Sequence, residues 1–447
     1  MLNTVRKIGF WTLDFLQRGQ IKKEYDEIKY IIENSDKQDS IDLQNKYLHN
    51  LLTHAVHTTG FYKGKKSFSS LQDFPVMNKQ LIRNNLDNHL SALFQKDKLH
   101  SVTTSGSTGA PFTVYQDRGK RRRHTAENIY FFEDLNHWVG DKLYYLRVWN
   151  SINRKSKLTT LLENLEMVEI SNLSEERIIN LVNRMIKDHY PKTLLGFASS
   201  FEAISKVIKN NDVRKANVKG IITISETLTD GAREVLSNAF HCPVVSRYSN
   251  MENGFIANQQ VGCGSDYYIN QASYVVEILK FDEDKPAIEG ERGRIVVTDL
   301  FNYGMPLIRY DTGDIATYTV KKDTRINILD KIEGRRVDFI YDDENKLISP
   351  HFVTNTMWKY SDKIIQFQFI QNDAKKYLMK LNCTQRFEFE SELVSDLKEH
   401  LGRNADISFE YVDEIPELRS GKKKKIVNNW NQNENCFDIE RQNKIKE

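Results

Sequence analysis

A chain of 447 residues exceeds what one hydrophobic core usually supports, so two or more domains are expected. With 39% hydrophobic and 28% charged residues and few prolines, the composition excludes disordered and fibrous classes. Lysine and arginine exceed aspartate and glutamate by only 64 to 61, a net charge of +3, which leaves no global field to attract nucleic acid or a membrane. Residues 5–16 have the spacing of an amphipathic helix with Ile8, Trp11 and Phe15 on one face. That face is expected to pack on the core, the alternative being contact with a membrane surface. Residues 24–57 continue with helical spacing, and 58–66, with Gly60 and Gly64, read as a loop.

From Ser101 a β-like run leads into Thr103-Thr104-Ser105-Gly106-Ser107-Thr108-Gly109-Ala110-Pro111, and 111–116 alternates again, so a loop joins two strands. Helical spacing over 118–135, a strand over 142–148, a helix over 174–187, a buried strand over 218–224, a helix over 230–240 and a strand over 243–248 follow in turn. Such alternation favours layered sheets flanked by helices. Residues 267–281, 293–299 and the stretch after Asp314 are β-rich and suggest an antiparallel subdomain. Beyond 338 the order is β, a helix near 387–401, β near 406–412 and a basic segment, a small α+β unit of about 110 residues. The fold class read from this is α/β: a large N-terminal domain over 1–337 with a β-rich subdomain, then a small mobile α+β C-terminal domain over 338–447.

Cys242, Cys263, Cys383 and Cys436 form no CxxC pair, which suits a reducing compartment and argues against structural zinc. No run reaches the roughly 18 apolar residues that span a bilayer, and the N-terminus has no apolar core with a cleavage site, so a cytoplasmic location is expected.

The loop of Thr104, Ser105, Gly106, Ser107, Thr108 and Gly109 crowds hydroxyls and unhindered backbone N–H groups, the donors that surround phosphate oxygens, although such clusters also serve as ordinary turns. It lacks the Gly-Lys-Ser/Thr ending of a Walker A loop, which disfavours a kinase-type site. This loop resembles the phosphate-binding signature of the adenylate-forming acyl- and aryl-coenzyme A ligases, close to their phenylacetate-coenzyme A ligase-like branch. Tyr248-Ser249-Asn250-Met251-Glu252 resembles the family's aromatic-plus-glutamate motif, and Ile308-Arg309-Tyr310-Asp311-Thr312-Gly313-Asp314 its ribose-binding motif. Gly334-Arg335-Arg336-Val337-Asp338 is similar to its hinge, and Ser420-Gly421-Lys422 to its catalytic-lysine motif. The opening from Arg6 to Phe15 and the chain length look most like members associated with capsular polysaccharide synthesis.

The resemblance implies adenylation of a small carboxylic acid by ATP, with domain closure delivering catalytic Lys422, and transfer of the acyl group to a thiol or amine acceptor. Coenzyme A is the default acceptor, an amino sugar or carrier protein the alternative; a non-catalytic nucleotide-binding partner protein is the rival reading. Asp314 would accept both ribose hydroxyls, Glu252 would hold Mg²⁺ against the phosphates, and Tyr248 would pack on adenine or acyl group. Arg335 or Arg336 would meet the ribose or α-phosphate, and Asp338 marks the hinge. Ser225 and Glu226 stand where relatives border the nucleotide with Gly/Ala-Glu-Pro. Phe197, Ala198 and Ser199, after Gly196, stand where relatives border the acyl pocket. The remaining lysines of 422–425 read as surface residues.

Overall fold

The computed structural model describes residues 2–65, 67–104, 112–149, 153–171, 173–209, 213–320, 327–335, 339–348, 350–416 and 424–430. The chain opens with α1 (Leu2–Leu16), α2 (Gln20–Glu33), α3 (Gln38–Thr58), α4 (Lys79–Asn84) and α5 (Leu86–His89), then the hairpin β1 (His100–Thr104) and β2 (Phe112–Gln116), and α6 (Arg118–Glu133). Polar side chains cap two of these helices at their starts. Asn78 accepts from Leu81 N at 2.9 Å to start α4, and Asp117 accepts from Lys120 N at 3.1 Å to start α6. Asp117 also accepts from Tyr303 N and Gly304 N at 2.7 and 2.9 Å, so this cap fixes α6 to a distant loop.

The orientation of α1 differs from the sequence expectation: Ile8 and Phe15 are 60% and 78% exposed, and Trp11 is half-buried. The polar side turns inward because Asp14, buried, accepts from Ile21 N and Lys22 N at 2.9 Å each, satisfying the open N–H groups that begin α2. Gly140 permits the approach of α1, since an added Cβ would lie 2.5 Å from Asn3 O.

Five parallel strands follow: β3 (Lys142–Arg147), β4 (Leu165–Glu169), β5 (Lys192–Phe197), β6 (Val218–Ile224) and β7 (Val244–Asn250), in spatial order β7-β6-β5-β3-β4. They alternate with α7 (Lys157–Leu162), α8 (Glu175–Lys187), α9 (Ala198–Ile208) and α10 (Asp230–Phe240). Leu194 and Ile221 pack with Phe201 and Leu236 on one side of the sheet, while Leu195, Ile222 and Val245 pack with Phe132 and Leu135 on the other. The chain steps outward from β3 to β4 and returns to β5 on the opposite side. That reversal leaves a crevice beyond the carboxyl ends of β3 and β5, where open α/β sheets bind ligands.

β7 also pairs antiparallel with β8 (Gly254–Gln259), so the sheet continues through β9 (Tyr267–Ile269), β10 (Tyr274–Leu279), β11 (Gly293–Asp299), β12 (Tyr310–Val320) and β13 (Asn327–Arg335) to eleven strands. The last elements are β14 (Ile340–Tyr341), β15 (Leu347–Ile348), α11 (His351–Lys359), β16 (Gln366–Asp373), β17 (Lys376–Asn382), α12 (Glu390–Leu401), β18 (Asp406–Tyr411) and β19 (Ile426–Asn428). Here a four-stranded sheet, β18-β17-β16-β19, encloses its own core of Ile340, Phe369, Met379 and Leu397. This small α+β unit rests on α9 and α10. Lys206 Nζ donates to Ile364 O at 3.2 Å, and a Cβ on Gly231 would lie 1.8 Å from Trp358 Nε1, so only glycine lets α10 and α11 meet so closely.

Candidate active site

The hairpin β1–β2 pairs Thr104 with Phe112 at its tip. Ser105, Gly106, Ser107, Thr108 and Gly109 lie outside the described residues. Thr104 Oγ1 is buried and has no hydrogen-bond partner among the described residues, a hydroxyl available to a ligand. Phe112 stacks on Tyr310 at 6.3 Å with an interplanar angle of 13°. The Tyr310 hydroxyl in turn donates to Glu252 Oε1 at 3.0 Å, and Lys79 Nζ reaches the same oxygen at 2.8 Å. Burial, then the charge of Glu252, pushes the Tyr310 phenol well above its ordinary pKa, so it remains a donor. Glu252 itself is 2% exposed. The root of the hydroxyl-rich loop is thereby tied to the carboxylate the sequence singled out.

Lys79 escaped the sequence reading. Only the cap at Asn78 marks the start of α4, and the meeting with Glu252 depends on Met77, whose N–H donates to Arg309 O at 2.9 Å and whose carbonyl accepts from Asp311 N at 2.7 Å.

Tyr248, on β7, donates to Asp314 Oδ2 at 2.7 Å, and its oxygen lies 3.2 Å from Thr312 Oγ1. Burial and the neighbouring Asp314 charge hold its phenol well above the usual value, so the proton stays on the tyrosine. An ionised carboxylate carries several lone pairs, which lets Asp314 accept from Tyr248 and from a vicinal diol together. Asp314 faces Arg335 in the β12–β13 register; the Arg335 side chain lies outside the described residues, as do Arg336 and the hinge residue Asp338.

At the carboxyl ends of β5 and β6 the remaining predicted segments meet. Glu226 Oε2 accepts from Ser199 N at 3.0 Å, joining the stretch Phe197, Ala198 and Ser199 to Ser225, which takes a left-handed φ of 70°. Lys422 lies outside the described residues, with Ser420 and Gly421. Lys425, expected at the surface, instead ion-pairs with Glu202 on α9, whose other oxygen accepts from Thr229 N at 3.3 Å. Burial opposes the Lys425 ammonium, but the Glu202 and Glu226 carboxylates outweigh it and hold the pKa above its ordinary value.

One residue beyond the paired positions Leu146–Gly196 and Thr223–Ser246, and level with the Phe197–Ile224 pair, Arg147, Phe197, Ile224 and Arg247 form a half-buried row across four strands. Arg247 is flanked by the Phe132 and Phe255 rings and donates to Asn128 Oδ1 at 3.0 Å. Burial lowers its pKa to about 9, with Tyr145 and Glu127 acting in the opposite sense. Arg147 sits 5.4 and 5.3 Å from the centroids of Tyr145 and Trp149. Its Nε is buried and unpartnered among the described residues. Glu169, its neighbour in register, instead accepts from the backbone N–H groups of Trp149, Ile170 and Ser171, each at 3.0 Å.

Among the described residues no group of three or more His, Cys, Asp or Glu could hold a metal ion. Glu252 is a single carboxylate, and an ion shared with phosphate oxygens and water needs no more than one or two.

Residues 340–429 match the model of the CapK C-terminal domain. Over 442 residues the chain is 27% identical to Protein CapK of Staphylococcus aureus, spanning 93% of this chain and 94% of that protein. A shorter match, 27% over 133 residues, covers 29% of this chain and 30% of indoleacetate–lysine synthetase of Pseudomonas savastanoi. Among solved structures, a 2-hydroxyisobutyryl-CoA ligase in its postadenylation state with R3-HIB-AMP superposes with a TM-score of 0.70 at 15% identity, over 91% of this chain and 92% of that one. The same ligase in its thioesterification state, with 2-HIB-AMP and CoA, gives 0.56 at 15% identity over 90% and 93%.

Proposed function

We propose that this chain, a CapK homologue with the fold of the adenylate-forming acyl-CoA ligases, joins a carboxylic acid to the α-phosphate of ATP, releasing pyrophosphate, and then passes the acyl group to an acceptor. The observation that carries this reading is the convergence of Thr104, Lys79, Tyr310 and Glu252 beside the Tyr248–Asp314 pair. Carboxylate and triphosphate repel each other, so the site must supply cationic and hydrogen-bonding groups rather than a general base. The acid is already ionised at neutral pH and attacks directly.

In this reading Asp314 holds the ribose hydroxyls, with Tyr248 fixing its carboxylate, and the loop from Thr104 to Gly109 surrounds the phosphates. Lys79 offsets their charge from one side of Glu252, and Lys422 approaches from the other domain. Mg²⁺, carried in with ATP and held by Glu252, would neutralise charge on the departing pyrophosphate. Arg335 or Arg336 serves the ribose or α-phosphate. The chain works as two units joined near Asp338, and closure of the second over the first excludes water from the mixed anhydride.

The acid lies over the row of Phe197 and Ile224, and Arg147 at its far end selects acids that carry a second anionic group, for which a planar guanidinium fork is suited. Coenzyme A is the acceptor in the first reading, supported by the ligase fold. The match to an indoleacetate–lysine synthetase supports the second, transfer to an amine.

Acid-dependent exchange of labelled pyrophosphate into ATP, run over mono- and dicarboxylic acids of graded length, tests the reaction. Exchange with some acid is expected, with Arg147→Gln lowering the preference for dicarboxylates about tenfold. Exchange with none would remove the adenylation reading; exchange with unchanged preference would remove only the role of Arg147.

A further inference from the structure

Helix α1 carries an apolar stripe that stands exposed among the described residues. Leu2, Val5, Ile8, Leu13, Phe15 and Leu16 share one side of the helix and are 60–78% exposed, while Asn3 and Asp14 face inward. Arg6 Nε donates to Leu161 O at 3.0 Å, which places α7 alongside, and there Leu158, Leu161 and Leu162 are 62–65% exposed. Nine large apolar side chains at such exposure offer on the order of 1,000 Å², beyond the ~300–600 Å² usual for the largest patch on a monomer.

The surroundings of the stripe are basic. Residues 2–23 carry Arg6, Lys7, Arg18, Lys22 and Lys23 against buried Asp14, and residues 153–163 carry Arg154, Lys155 and Lys157 against Glu163. Discounting the Lys22–Asp26 and Lys155–Glu163 pairs, the excess is still positive. We infer that this surface docks the protein on an anionic lipid bilayer, with α1 and α7 lying in the interface. Leucines and Phe15 would enter the acyl boundary while lysines and arginines meet phosphate headgroups, the combination that holds amphipathic helices on membranes.

Three further observations favour a bilayer. A second copy related by a two-fold axis would set this net-basic patch against itself, which opposes association. The helix is fixed before binding by Asn3 to Asp141 at 3.2 Å, by Arg6, and by Asp14 at the start of α2, so little ordering cost remains. The anchoring positions Gly140, Asp141 and Asn164 precede β3 and β4, at the amino ends of the strands. The crevice at their carboxyl ends therefore faces away from the membrane and stays open to ligands.

The test is co-sedimentation of the full chain with phosphatidylcholine vesicles, with and without phosphatidylglycerol, at low and high salt. Binding to the anionic vesicles, weakened by salt, is expected, and Phe15→Glu with Leu16→Glu, or Leu161→Glu alone, should reduce it about tenfold or more with an unchanged melting temperature. Failure to bind anionic vesicles, or undiminished binding by folded glutamate variants, overturns the inference. So does a dimer in sedimentation velocity that the glutamate variants dissolve and that does not bind lipid, because the stripe is then an interface between copies.

Discussion

At the scale of single residues, the Tyr248 hydroxyl and the Asp314 carboxylate act as a pair at 2.7 Å. If Asp314 accepts the ribose, Asp314→Ala should weaken both ATP and AMP by about 2–4 kcal/mol, the sum of two charge-assisted hydrogen bonds. Tyr248→Phe keeps the ring and removes one positioning bond, so about 0.5–1.5 kcal/mol is expected for either nucleotide. Titration calorimetry with AMP measures both, and unchanged affinity in folded Asp314→Ala would take Asp314 out of the site. Tyr248, Glu252 and Asp314 were singled out in the sequence because each stands in a short segment that resembles a family motif, and the fold brings the three side chains together. Lys79 was not, since a lysine after a capping asparagine is unremarkable until β-sheet closure carries Glu252 beside it. Lys425 was misjudged for the opposite reason: four consecutive lysines look alike in sequence, and only the position of α9 singles out the one that meets Glu202.

Whole elements were easier to read where one periodicity dominated. The strand Val218–Ile224 and the helix Asp230–Phe240 fall at the predicted limits, since a strand covered on both faces is a continuous apolar run and the helix that follows has an apolar side for it. The amphipathic pattern of α1 was equally clear, but a pattern identifies two faces without saying which one meets the protein. The short helix α5 ends in a buried histidine that makes stability depend on acid. His89 is 0% exposed, stacks on Phe61 at 4.3 Å, and neither ring nitrogen has a partner among the described residues. Burial lowers its pKa from 6.5 to about 4, so the folded chain holds this ring neutral where the unfolded chain protonates it. Stability is then complete above the unfolded value, falls as pH drops from 6.5 towards about 4, and levels off below, a loss of about 3 kcal/mol. His137, also lowered to about 4 by burial, acts in the same window. His89→Phe should flatten part of the slope in urea midpoints between pH 7 and 4; an unchanged slope would mean that His89 is hydrated and titrates normally.

Across the whole molecule, the small C-terminal unit meets the large one where the candidate site segments of β5 and β6 gather. Glu202 stands one turn after Ser199 on α9, so its pair with Lys425 ties the small unit to the helix whose first turn meets Glu226. If this arrangement serves the first half-reaction, the pair favours it over any rotated one, because breaking it strands a carboxylate that is 11% exposed. Glu202→Gln retains an acceptor for Thr229 N while removing the charge, so it isolates the ion pair from the local hydrogen bond. We expect adenylation, read as pyrophosphate exchange, to fall about tenfold, equivalent to about 1.4 kcal/mol, with Lys425→Gln falling alike. The double variant should be little worse than either single one, as for two residues that act only through each other. Transfer from preformed acyl-adenylate to the acceptor should be preserved or faster, since the competing arrangement is no longer held back. Equal losses in both half-reactions would instead mean that the pair supports the fold at large, and that alternation between domain arrangements does not govern this chain.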